Sequence, residues 1–326
     1  MYHRFRQGLD ILDLDCVTYE IIGQNRNSMG HWLSALVDAV MGQDFFRVPK
    51  TTLIQVPMPL LQLTRLDYMS LTLATMRVVN EYCGKVFGLK PGGDYFIWTG
   101  THSSKFDFRN ARVRDEGEVA ELGQYLLFKH NLGVMMAGAL CQPSIYGMAT
   151  TRDWCVREFI EDHDQPQNPT IYHGLPLRTE IRAFVDMDEK KVIGMALYWD
   201  AKLMKQGFGH QEDADSPHQM HDYIIYAMHE DVLMRRYRDA EMKARGGLEG
   251  LIQRMRLSGQ WSIDIMLNGK EEFWIIDMAI AEDSALKDCV LEGQLKPAGQ
   301  DWIPELPSGG AGAKAPWLDD SLLTKL

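Results

Sequence analysis

Apolar and polar positions alternate most cleanly in LPLRTEIRAFV, from Leu175 to Val185. A strand's period of two puts Arg178, Glu180 and Arg182 on one face and Ile181, Ala183 and Val185 on the other. Long apolar segments lie close by, which predicts an interior strand rather than a sheet edge. VIGMALYWD (192–200) is its return strand after the DMDEKK turn. TTLIQVPMP (51–59) predicts a strand stopped by prolines, YFIWTG (95–100) another, and WCVREFIED (154–162) a strand or strand exit. The last hairpin, WSIDIMLNGKEEFWIIDMAIAE, turns at Asn268-Gly269.

Helical spacing marks MGHWLSALVDAVMG, through Trp32, Leu33, Leu36, Val37 and Val40, and the stretch 65–88, which ends at a glycine. It returns across 112–138 and in segments filling 223–257, after a polar, His-rich loop at 207–222. DHDQPQNPT (162–170) reads as a loop, and residues 1–50 are otherwise of mixed pattern. Strands and helices intermingle, and the late hairpins point to an antiparallel α+β organisation. Residues 1–150 and 151–295 are expected to form two units, with 296–326 a Gly/Pro-rich tail.

The composition is that of an ordinary globular protein, with 45% hydrophobic residues. The net charge of -11 argues against broad nucleic-acid binding. No apolar run is long enough to span a bilayer, and no signal peptide is expected in MYHRFRQGLDILDLD. Cys16, Cys83, Cys141, Cys155 and Cys289 are scattered and odd in number, which predicts reduced thiols in a cytoplasmic setting.

Candidate chemistry gathers in the strands. Asp264 and Asp277 lie in apolar strands of the last hairpin, where an unpartnered carboxylate is costly. An even-length turn makes cross-strand partners sum to an odd number, so that Asp264 shares a face with Phe273, Ile275 and Asp277. Their Cα atoms would lie roughly 7–14 Å apart, within reach of one or two shared Mg²⁺ ions. Two salt-bridged structural carboxylates are the alternative. Arg178 and Arg182 offer forks suited to phosphate, and Glu180 a metal contact or an arginine clamp, against the alternative of a solvated face. The loop TGTHSSKFDF brings Thr99, Gly100, Ser103, Ser104 and Lys105 as a phosphate cover, although no P-loop spacing occurs. His210, His218, His221 and His229 lack a partnering cysteine and read as solvated or pocket-lining rather than zinc ligands.

Taken in order, the Lys-bearing loop, VREFIE, TEIRAFV, WSID and WIIDMA resemble the ATP-grasp superfamily over roughly residues 50–285. The likeness is to its cell-division-cycle assembly-factor branch and to small phage-encoded ATP-grasp proteins. The resemblance implies two α+β subdomains whose antiparallel sheets enclose a nucleotide cleft. It implies ATP and Mg²⁺ as cofactors, with Arg157, Glu158, Phe159, Ile160 and Glu161 as the linker that meets adenine. Arg182 and Glu180 become the catalytic pair, Lys105, Arg178 and Arg182 phosphate contacts, and Asp264 and Asp277 the metal ligands. The activity implied is a carboxylate–amine ligase working through an acylphosphate, on unknown carboxylate and amine substrates, with a protein or peptide among the candidates. A nucleotide-binding assembly factor of little turnover is the second reading. Two positions depart from the family pattern: Ala279 replaces an asparagine ligand, and Trp98 a nucleotide-contacting lysine.

Overall fold

A computed structural model describes residues 14–103, 105–140, 150–208, 217–269 and 271–297. The expected tail beyond 297, His210 and Ser104 lie outside them. In chain order, helix α1 (Cys16–Ile22) starts on Asp15, whose carboxylate accepts the Thr18 N–H. Helix α2 (Met29–Val40) buries Met29, Trp32, Leu33, Leu36 and Ala39 along one stripe. Strands β1 (Phe46–Arg47) and β2 (Thr51–Gln55) precede α3 (Met58–Gln62) and α4 (Leu73–Phe87). Helix α4 is capped by the Thr72 hydroxyl and stops at Gly88, whose φ of 56° is left-handed. Strands β3 (Tyr95–Thr99) and β4 (Arg112–Val113) lead to α5 (Glu116–Ala120), with its Asp115–Glu118 capping box, and to α6 (Leu122–Leu140).

Strand β5 (Asp153–Glu158) comes next, followed by the short pair β6 (Thr170–Ile171) and β7 (Leu175–Pro176). Then follow β8 (Glu180–Asp186), β9 (Lys191–Leu197), α7 (Ala201–Phe208), α8 (Pro217–Ile252), and the hairpin β10 (Gln260–Asn268) and β11 (Glu272–Ile280). The smaller sheet has the antiparallel order β2-β5-β3-β4. The larger runs β1-β11-β10-β8-β9 and is antiparallel except where β1 joins β11 in parallel. The chain is α+β. Strand β5, after residue 150, is central to the smaller sheet, and β1, before residue 50, belongs to the larger.

Two expectations are corrected. The strand expected over 175–185 is split: residues 177–179 step from the β6–β7 pair into the larger sheet, where the Leu267 N–H donates to the Thr179 carbonyl. The His-rich loop ends sooner than 222, because one continuous helix runs from Pro217 to Ile252 and carries His221 and His229. Proline suits a helix's first position, where its N–H is not needed. The glycines late in α8 do not break it, because Ala240, Ala244, Leu248 and Leu251 anchor that half in the core. Gly247 has a reason of its own: a Cβ there would overlap the Phe45 ring.

One core joins α2, α8 and the larger sheet, through Trp32, Leu36, Ile181, Val185, Ile263 and Ile275, and extends to Trp98 and Cys155 of the smaller sheet. A second core packs α4 and α6 against the other face of the smaller sheet, through Val79, Leu126, Ile97, Trp154 and Val156.

Candidate functional site

Residues of both sheets line one cleft enclosing about 780 Å³, part of it continuous with solvent. Strand β10 alternates across its two sides. Ile263 and Ile265 enter the core, while Asp264 and Met266 line the cleft. Strand β11 does not alternate throughout. Near the turn Asn268 pairs with Glu272, an even sum, so strict alternation would put residue 276 opposite Asp264 and Asp277 toward the core. A β-bulge intervenes: Ile265 pairs with Ile275 and Asp264 with Asp277, leaving Ile276 as the extra residue. Ile276 and Asp277 then both line the cleft, whereas Phe273 and Ile275 are in the core and do not share the face of Asp264. Directly opposed residues have Cα atoms about 4.5–5.5 Å apart, closer than the sequence suggested. Burial, and next the negative charge of Asp264, push the Asp277 carboxyl up to about 7.

Arg182 does not line the open space. Its Nε and Nη2 donate to the two carboxylate oxygens of Asp264, each at 2.7 Å, and Nη1 reaches the Ala285 carbonyl at 3.4 Å. The guanidinium is a clamp on the first aspartate. Lys105 comes in from the loop after β3, and its Nζ lies 3.1 Å from Glu180 and 3.7 Å from the Tyr198 ring centre. Burial works against the Lys105 charge, but Glu180 and Tyr198 hold its pKa above the ordinary value. Burial also pushes the Glu180 carboxyl up while Lys105 pulls it back. The 3.1 Å contact decides for an ion pair, because each group is the other's nearest compensation for desolvation.

Arg157, on β5, donates to the carbonyl of the bulge residue Ile276 and lies 4.9 Å from the Trp98 ring centre. Arg178 donates to the Ile160 carbonyl and to Met266 Sδ. Both guanidiniums are almost fully buried, and the Nε atoms of Arg157 and Arg178 and Nε1 of Trp98 have no acceptor. The linker passes the cleft at Glu158, Phe159 and Ile160, with the N–H groups of Glu158 and Phe159 bonded to the carbonyls of Lys50 and Asp94. Phe159 is flanked by Arg112 at 4.0 Å and Arg178 at 5.6 Å. Glu161 points away, its side chain 79% exposed beside His163. Ala279 pairs with Ser262.

The structure thus brings together Lys105, Arg157, Glu158, Phe159, Ile160, Arg178, Glu180, Asp264 and Asp277, sets Arg182 behind them and leaves Glu161 out. Sequence reasoning missed Tyr198, Met266, Ile276, Phe96 and Phe108, all on the cleft wall. For Tyr198 a signal existed: it follows the return strand, where its N–H reaches the Glu180 carbonyl at 2.8 Å. Among the described residues no cluster of three or more His, Cys, Asp or Glu suited to a metal is present, and no helix is long and apolar enough to cross a membrane. Mg²⁺ at nucleotide sites commonly takes only one or two carboxylates and completes its shell with phosphate and water, so the opposed aspartates fit that ion. Asp277 in particular is a half-buried carboxyl facing a like charge, which a cation between them would relieve.

Fold and site define an α+β protein with a two-sheet cleft lined by acids, arginines and aromatic rings. No protein-family model and no curated protein sequence matches the chain. Solved structures do resemble it. C-terminally truncated Cdc123 from Schizosaccharomyces pombe is 13% identical, with a TM-score of 0.45 over 83% of this chain and 93% of that one. N5-carboxyaminoimidazole synthetase from Staphylococcus aureus, complexed with ADP, is 7% identical, with a TM-score of 0.32 over 78% of this chain and 44% of that one. The ATP-grasp ligase PsnB, complexed with minimal precursor, is 10% identical, with a TM-score of 0.28 over 83% of this chain and 56% of that one. The structures similar to this chain therefore include Cdc123 and ATP-grasp ligases. What the chain binds is argued from its cleft.

Proposed function

We propose that the cleft binds ATP with Mg²⁺ and that the protein is an ATP-dependent ligase of the carboxylate–amine type. One observation carries the nucleotide reading. Two directly opposed carboxylates share one cleft with the cations Lys105, Arg157 and Arg178. Acceptor-rich phosphate oxygens complement those cations. Asp264 and Asp277 would hold Mg²⁺, which when bound supplies charge stabilisation to a transferring phosphoryl group. Lys105 exchanges its contact with Glu180 for phosphate, while Arg182 fixes the orientation of Asp264. Phe96, Trp98, Phe108 and Phe159 form the wall for the base.

The ligase step is what the resemblance noted in the sequence implies: a carboxylate takes the terminal phosphoryl group of ATP as an acylphosphate, releasing ADP, and an amine then displaces phosphate. Ala279 favours a second reading, a nucleotide-binding assembly factor, because it offers no side-chain ligand where the related motif has one. Calorimetry with ATP, with and without Mg²⁺, tests the shared part. Mg-dependent binding is expected, and its absence for both ATP and ADP overturns both readings. Steady-state ADP release then separates them: a ligase turns over only when acceptor is supplied, whereas an assembly factor stays near zero with every acceptor.

A further inference from the structure

Lys129 is a buried cation that the proposed chemistry does not use. It lies on α6, 1% exposed, on the core side of the smaller sheet. Its Nζ donates to the Ile97 carbonyl at 2.9 Å and to the Ser103 carbonyl at 2.6 Å. No carboxylate of the described residues forms an ion pair with it. Burial pushes its pKa down to about 7, with Asp107 and then Cys155 pulling the other way. An apolar side chain would fill this place without that desolvation cost.

The two carbonyls explain the position. β4 pairs only with Tyr95 and Phe96, so beyond them the edge of β3 is held by loops, the Thr99 N–H donating to the His102 carbonyl at 3.0 Å. The Ile97 N–H finds the Ala111 carbonyl, and its own carbonyl, on the same edge, would be orphaned without Lys129. Ser103 is the last residue but one before Lys105, on the loop that crosses from β3 to the cleft. That loop is also fastened beyond Lys105: the Phe108 N–H donates to the Tyr172 carbonyl, and the Phe106 ring meets that of Tyr172 at 5.1 Å.

We infer that Lys129 is a positioning residue: its ammonium pins the end of β3 to the Ser103 carbonyl and so fixes where Lys105 enters the cleft. The inference rests on the phosphate role proposed for Lys105, and it adds the element that sets this role in place. Lys129 does not line the open space, although its Nζ lies 5.6 Å from the centre of the Phe96 ring, behind the wall for the base. Its effect should therefore fall mainly on the phosphates, which Lys105 meets, and far less on the base.

The test compares wild type with Lys129→Met, an apolar side chain of similar length, and with Lys129→Gln, which retains a donor if the methionine variant fails to fold. Calorimetry at pH 7 uses Mg-ATP, Mg-ADP and adenosine as probes, and hydrogen exchange follows the amides of 100–108. About tenfold weaker Mg-ATP binding is expected, as the loss of one charge-assisted contact implies, with adenosine affinity changed less than about twofold. Exchange at 100–108 should quicken while that of β5 stays unchanged. Equal losses for ATP and adenosine, or unaltered exchange in the loop, overturn the inference. If wild type binds no nucleotide, the nucleotide reading fails by itself, and the exchange experiment still decides whether Lys129 pins the loop.

Discussion

Removing the guanidinium of Arg182 should expose how far the cleft depends on a clamped aspartate. Arg182 and Asp264 have side chains only 12% and 6% exposed and share two hydrogen bonds of 2.7 Å. Arg182→Ala would leave Asp264 buried, without its fork and facing a second carboxyl across the hairpin. Breaking a buried pair by removing one partner costs about 3–5 kcal/mol, more than the pair's own net worth. At roughly 2–4 °C per kcal/mol, melting should fall by about 6–20 °C. Arg182→Lys should recover less than half of this, because an ammonium cannot bind both oxygens in one plane. The assay is urea unfolding of wild type, Arg182→Ala, Asp264→Ala and the double variant. The double variant should be more stable than Arg182→Ala alone, with a coupling of about 1.5–3 kcal/mol. A coupling below about 0.5 kcal/mol would refute the clamp, and so would an Arg182→Ala protein as stable as wild type.

Asp277→Asn should weaken Mg-ATP binding and raise stability at alkaline pH. The folded carboxyl titrates near 7 instead of 3.8, so wild type loses stability as pH rises through that window. The nominal loss is about 4 kcal/mol, and about half is expected because Asp277 is partly open to the cleft; a gain equal at pH 5 and pH 8 would count against it. Asp186 behaves in the opposite sense. Burial would raise its carboxyl, but Lys296, the Glu189 N–H and Gln260 bring it down to about 2, giving stability present above pH 4 and lost as pH falls through 2. Lys296→Gln should therefore shift the acid-unfolding midpoint upward, and an unmoved midpoint would assign the effect to the other donors. Gly100→Ala should destabilise by about 2 kcal/mol or more, since a Cβ would run into the Ser28 and Thr151 hydroxyls; a melting temperature within 2 °C of wild type would contradict this.

Local pattern carried much of this architecture. The period of two in β8 correctly separated Glu180 and Arg182 from Ile181, Ala183 and Val185, because the latter face the main core while the former face the cleft side, where only Phe184 further along enters a small apolar cluster. It could not say that Arg182 would turn to Asp264 rather than to the open space, since that depends on which strand lies alongside. The aspartates of the hairpin were found for a sound reason, the cost of carboxylates in apolar strands, yet their register was misjudged. The ladder near the turn has even parity, and the Ile276 bulge, which no periodicity reveals, restores the odd one. Lys129 was invisible as well. In the sequence it is one lysine in a helical stretch, and only the early end of β4 gives it two carbonyls to hold.

The chain passes between its two sheets more than once, and this decides how the cleft can open. Residues 48–50 carry it from β1 into β2, and the linker after β5 carries it back, the two strands being stitched by the Glu158 N–H to the Lys50 carbonyl. Beneath them the core is continuous from the larger sheet to Trp98 and Cys155. Parting the sheets would tear that core, whereas swinging the exposed Phe106 ring off Tyr172 breaks only a local contact. The cleft is therefore a slot of fixed gauge with a movable brim. Ligand entry should be timed by the brim, and the gap between the sheets should read the same width whether the slot is filled or bare.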